Sequence, residues 1–158
     1  MRFSQFQFLK ERLLQDAGGE PTLTEAAHPL VLAYVGDAYY TLYVRLRLLE
    51  KEQRQVRVVH EAGMRLVSAV YQSKAYEALK EDLTEAEGAV ARRGRNTKAS
   101  VPKSASVKEY RQSTALEALF GYLLLSGQEE RLEQLAEQSF EIAFAALQAG
   151  KEGKDECK

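Results

Sequence analysis

Two acids stand where helical spacing calls for apolar residues. In LAYVGDAYYTLYVR, residues 32–45, Asp37 sits beside Gly36 in an otherwise apolar run. At about 100° per residue, its helix face also carries Leu30, Ala33, Tyr34, Tyr40, Thr41 and Val44. In VKEYRQSTALEALFGYLLLSG, Glu117 shares a face with Tyr110, Ser113, Thr114, Phe120, Gly121 and Leu124. An unpaired buried carboxylate is expensive, and a glycine within a helix costs about 1 kcal/mol relative to alanine. One arrangement accounts for both oddities: two helices that cross near their glycines and bring Asp37 and Glu117 together. Carboxylates that converge must share a proton or bind a cation. Oxygen ligands without histidine or cysteine suit Mg²⁺, with Mn²⁺ as a substitute. Taken singly, an acid on an apolar helix face is more often paired with an arginine than with a metal; the matched pair is what raises the metal reading.

A second feature lies just upstream of Glu117. The net charge is −1, yet Ala91 to Arg111, ARRGRNTKASVPKSASVKEYR, holds seven basic residues and one acid. That segment carries +6, which leaves −7 on the other 137 residues. A charge run is ordinarily a solvated face. Here the bases sit at a helix end and in a loop with almost no acids to pair with, where arginine can lie along phosphates. A metal site beside a cationic groove is what phosphodiester cleavage requires. The candidate contacts are Arg92, Arg93, Arg95, Asn96, Lys98 and Lys103, with Lys108 and Arg111 beyond them.

The elements that must position these residues read as helices throughout. No stretch alternates convincingly over five or more positions, and prolines occur only at 21, 29 and 102. The spacing predicts a helix over about 4–16, a long one over about 29–51 with Pro29 in its first turn, and one or two across 55–81. Thr84 followed three residues later by Glu87 is a capping signature. Two further helices are expected over about 106–126 and 128–147, giving an all-α fold of about seven helices in one domain, 1–147, with a flexible polar tail over 148–158. The 29–51 helix carries Val31, Val35, Leu42, Leu46 and Leu49 outside the Asp37 stripe, so either its own core or a second copy must cover it.

Other chemistries find little support. The two histidines are far apart: His28 suits a helix cap or the surface, and His60 an amphipathic helix. The sole cysteine, Cys157, lies in the polar tail GKEGKDECK, so no disulfide forms within the chain and a cytoplasmic location is the default. No apolar run reaches the roughly 18–20 residues of a membrane span. Neither a Walker nor a GxGxxG loop is present.

LAYVGDA followed by STALEALFGYL resembles the paired signature helices of the ribonuclease III catalytic domain. LTEAEGAVARRGRN, VPK, YRQST and EERLEQL look like Mini-ribonuclease III, the short bacterial branch without a double-stranded-RNA-binding domain. The resemblance covers roughly residues 28–135. It implies that Asp37 and Glu117 are catalytic and hold magnesium in a metal-assisted hydrolysis leaving 5′-phosphates. It also implies a homodimer acting on duplex RNA and maturing the ends of 23S ribosomal RNA precursor, with a ribosomal protein or pre-ribosome as possible context. The larger enzymes of the family add acids where this chain has Ala33 and Thr114, departures the Mini branch shares. The rival reading is a catalytically inactive RNA-binding ribosome-assembly factor on the same fold.

Overall fold

Helix α1 (Pro29–Leu49) starts where proline costs nothing, and the Nδ1 of His28 accepts from the Leu30 N–H at 3.3 Å to cap it. The computed structural model describes residues 11–12, 27–97 and 103–155, with side chains to 150. Of the helix expected over 4–16 only residues 11–12 are described, both helical, and Lys98 lies outside the described residues. Beyond α1 come α2 (Val56–Leu66), α3 (Ala69–Leu79), a 3₁₀ turn (Lys80–Asp82), α4 (Glu85–Asn96), α5 (Val107–Leu125) and α6 (Glu129–Asp155). Among the described residues the fold is all-α, with no strand.

Helix α5 is the axis. Thirteen of its nineteen residues are buried, and α1, α3, α4 and α6 all pack on it. A helix apolar all round must be covered on every side. The buried ridge of α1, Leu32, Gly36, Tyr40, Val44 and Leu48, has a spacing of four, the kind that seats in the groove of a neighbouring helix. The Tyr40 and Phe120 rings stack within this contact, 5.0 Å between centroids.

The segment 55–81 is two helices, broken at Val67–Ser68. The other boundary finding concerns the chain's end: α6 continues to Asp155, past the end expected near 147 and through much of the expected tail. Glycine stops a helix when it takes a left-handed φ. Gly127, before α6, does so at φ 75°, and no other described glycine has a positive φ.

Two ion pairs tie α6 to the elements that matter. Arg47 of α1 grips Glu137 through Nε at 2.9 Å and Nη2 at 2.7 Å, and the Tyr43 hydroxyl donates to the same carboxylate. Arg131 grips Glu87 at 2.8 and 3.0 Å and also donates to the Asp82 carbonyl. Glu87 is only 3% exposed, and it closes the capping box with Thr84 that the sequence announces. One carboxylate thus caps α4 and fastens it to α6.

The Arg131 guanidinium holds the Glu87 carboxyl below its ordinary value of 4.5. A depressed carboxylate stabilises the fold above its unfolded pKa and ceases to do so as acid protonates it. Glu87→Gln keeps the cap but loses the charge. It should cost roughly 2 kcal/mol at neutral pH, less than a fully buried pair because Arg131 keeps an exposed edge. Thermal melts should show a fall of about 4–8 °C at pH 7, with the gap to wild type closing below pH 4.5.

Candidate active site

The α1–α5 crossing has no room for side chains. A Cβ on Gly36 would lie 1.8 Å from the Glu117 carbonyl oxygen and 2.7 Å from the Gly121 nitrogen. A Cβ on Gly121 would lie 2.0 Å from the Leu32 carbonyl oxygen. The two backbones are in direct contact, as only glycine permits. Asp37 follows Gly36 and Glu117 lies one turn before Gly121, so the crossing places the two acids beside one another.

The electrostatics show their proximity. Burial, and then the Asp37 charge, push the Glu117 carboxyl up to about 8, against a smaller opposing effect from a hydrogen bond with the Gln72 side chain. Burial also raises Asp37, partly offset by the Thr41 side chain one turn along. Asp37 stands at an exposed rim and Glu117 lies deeper. Neither acid has a basic partner among the described ion pairs, so the arginine-pair reading finds no support. The face assigned to Asp37 is a boundary and not a buried stripe: Ala33, Tyr40 and Val44 are inside, whereas Tyr34 is 81% exposed.

Ala33 and Thr114 are both buried. The Thr114 hydroxyl donates back to the Tyr110 carbonyl of its own helix at 2.9 Å. Among the described residues no group of three or more His, Cys, Asp or Glu could hold a metal. The donor set is therefore two carboxylate oxygen groups whose charges oppose one another at a half-covered site. That suits a hard divalent cation with its other positions open to water and phosphate oxygens.

The basic helix is held close by a third tight contact. A Cβ on Gly94 would meet the Ala118 Cβ at 2.9 Å and the Thr114 carbonyl oxygen at 3.0 Å. The C-terminal end of α4 therefore lies on the turn of α5 that bears Glu117. Arg92, Arg93, Asn96 and Thr97 line a hollow with Pro29 of α1. Arg92, Arg93, Arg95, Asn96, Lys103, Lys108 and Arg111 are all exposed. Thr41 stands on the Asp37 face as the spacing predicts, whereas Gln72, the polar neighbour of Glu117, is not among the residues that spacing singles out. Gln72 carried a readable signal, being a carboxamide in register with Ala75, Tyr76 and Leu79 on the buried face of α3.

Comparison with known proteins agrees with this architecture. Residues 30–128 match the family model described as the ribonuclease III domain. The chain is 44% identical over 134 residues to a Mini-ribonuclease 3 of Brevibacillus brevis, covering 84% of this chain and 95% of that protein. It is 49% identical over 108 residues to a Mini-ribonuclease 3 of Symbiobacterium thermophilum, covering 68% and 83%. An X-ray crystal structure of a Fusobacterium nucleatum protein superposes with a TM-score of 0.65 at 32% identity, over 69% of this chain and 88% of that one.

Two outcomes follow from the crossing. Gly36→Ala forces the helices apart, and should lower stability by several kcal/mol, on the order of other overpacked core sites or beyond, as read by urea unfolding. Glu117 gives a test with the opposite sign. Its raised carboxyl keeps a proton that the unfolded chain releases, so metal-free stability falls as pH rises from about 4.5 towards 8. Glu117→Gln should therefore be the more stable protein at pH 8 without divalent ions, with the two curves converging near pH 4.5.

Proposed function

This chain belongs to the Mini-ribonuclease 3 family of ribonuclease III-domain proteins and is an endoribonuclease, and from that premise we propose that Asp37 and Glu117 are its catalytic, magnesium-holding pair, acting on double-stranded RNA. The observation that carries this is the Gly36–Gly121 contact. The chain forgoes side chains on both helices and accepts a Glu117 carboxyl held near 8. Such an arrangement is costly unless a cation offsets it.

A bound Mg²⁺ would neutralise charge on the scissile phosphate and promote attack by water. The protein's own part is to hold the two carboxylates rigidly and to lay the duplex across them. Phe120 and Tyr40 close the crossing from within, so the acids can approach RNA only from the rim on which Asp37 stands. Arg92, Arg93, Arg95 and Asn96 on α4, with Lys103 and, by its place in the sequence, Lys98, grip backbone phosphates. Lys108 and Arg111 extend that grip along the start of α5. A-form RNA offers its wide minor groove, backbone and 2′-hydroxyls to such a surface. Mn²⁺ substitutes for Mg²⁺ at an oxygen-only pair.

A homodimer completes the reading. Val31, Tyr34, Leu42, Leu46 and Leu49 form an exposed apolar face on α1 that this chain's own core leaves uncovered. A second copy would cover it and supply the second site needed to cut the opposite strand. The substrate that fits the family resemblance is 23S ribosomal RNA precursor, matured at its ends in the cytoplasm, with a ribosomal protein able to present it. Among the described residues no helix is long and apolar enough to cross a membrane.

The test is cleavage of a labelled RNA duplex and of a 23S precursor stem in Mg²⁺ at low salt. Asp37→Asn and Glu117→Gln should each lose at least about 100-fold in rate, as befits groups acting on the transition state, while still binding duplex in Ca²⁺. Wild type that binds duplex without ever cutting would move the protein to the inactive assembly-factor reading.

A further inference from the structure

Gln72 is the most deeply buried polar residue near the two acids, at 1% exposed. Its Nε2 donates to the Val67 carbonyl at 2.9 Å, and its side chain lies close enough to Glu117 to pull that carboxyl down against the effect of burial. The amide nitrogen is the one group of Gln72 able to donate to a carboxylate. Val67 is the C-cap of α2, fixed at φ −87° and ψ 0° by the sharp turn into α3, and its carbonyl is a rigid anchor. Meanwhile Oε1 of Gln72 finds no partner in the protein. Leucine or methionine would fill the space without leaving a buried acceptor unused.

Joining α3 to α5 does not require Gln72. The next residue already does so: the Ser73 hydroxyl donates to Oε1 of Gln112 at 2.6 Å, and the Gln112 amide turns to Glu77. The one thing Gln72 does that Ser73 cannot is reach Glu117.

We propose that Gln72 is a positioning residue for the divalent-cation site: anchored on Val67, its amide aims the Glu117 carboxylate, and its free Oε1 accepts a hydrogen bond from water held at the site. The inference rests on the reading of Asp37 and Glu117 as the magnesium-holding pair. Groups that orient a metal ligand in this way typically govern affinity by about 10–100-fold.

Two measurements test it. In selectively ¹⁵N-labelled wild-type protein, the Gln72 side-chain amide signals should shift on Mg²⁺ addition and saturate with the metal, and should not move in Asp37→Asn. Gln72→Met keeps the volume and removes both polar atoms. By calorimetry without RNA it should bind Mg²⁺ about 10–100-fold more weakly. Its kcat should fall while KM for duplex and the metal-free melting temperature stay near wild type. Should the variant fail to fold, the wild-type amide shift decides alone. Unmoved Gln72 signals, or wild-type Mg²⁺ affinity in folded Gln72→Met, would overturn the proposal. If Asp37→Asn and Glu117→Gln cut normally, the underlying site reading has failed. If they are dead and Gln72→Met is normal, only the role of Gln72 has.

Discussion

The packing of α1 on α5, and with it the placing of Asp37 beside Glu117, hangs on backbone touching backbone at Gly36 and Gly121. A single methyl group on either would overlap a carbonyl oxygen of the other helix. Because side chains project from the crossing rather than fill it, the residues beside the glycines are thrown to its edge at fixed spacing. On one helix that residue is Asp37. On the other, one turn away, it is Glu117. The stacked Tyr40 and Phe120 rings close the inner side, so the acids share one rim and the core begins directly beneath them.

The surrounding helices serve that crossing. Arg47 binds α1 to α6 through Glu137, and Arg131 binds α4 to the same helix through Glu87. Helix α6 thus holds both the helix that bears Asp37 and the helix that bears the arginines. Gly94 repeats the close-approach device on a milder scale and sets the basic end of α4 against the Glu117 turn. Three glycines, each at a helix contact, place a carboxylate pair and a cationic surface side by side in a chain whose net charge is only −1.

Electrostatics sets this pair apart from the other acids. Glu117 is raised by burial and by its neighbour, and no basic side chain among the described ion pairs relieves it. Ordinary structural carboxylates in this protein behave in the opposite way: Glu87 and Glu137 are both pulled below their usual range by arginines. The contrast within one fold separates acids that are ion-paired from a pair that meets no basic side chain among the described ion pairs. Gln72, buried and half-satisfied beside Glu117, belongs with the second group.

Much of this was legible in the sequence because it depends on local rules. Helical periodicity, Pro29 at a helix start, the Thr84–Glu87 cap and the acid-beside-glycine pattern each follow from spacing of at most a few residues. The +6 block was countable outright. What the sequence could not fix was everything decided between elements. Whether Asp37 faced core or rim depended on which ridge of α1 seated in α5, and the ridge of spacing four left Tyr34 outside. The break at Val67 and the run of α6 through Gly150 turned on backbone angles that composition does not encode. Likewise Gln72 reads as one more polar residue on a helix until α2, α3 and α5 meet around it. Composition and period thus determined the helices and the residues able to do chemistry. Only packing decided which of them meet, because contact between helices depends on shape complementarity across tens of residues and not on any short stretch of chain.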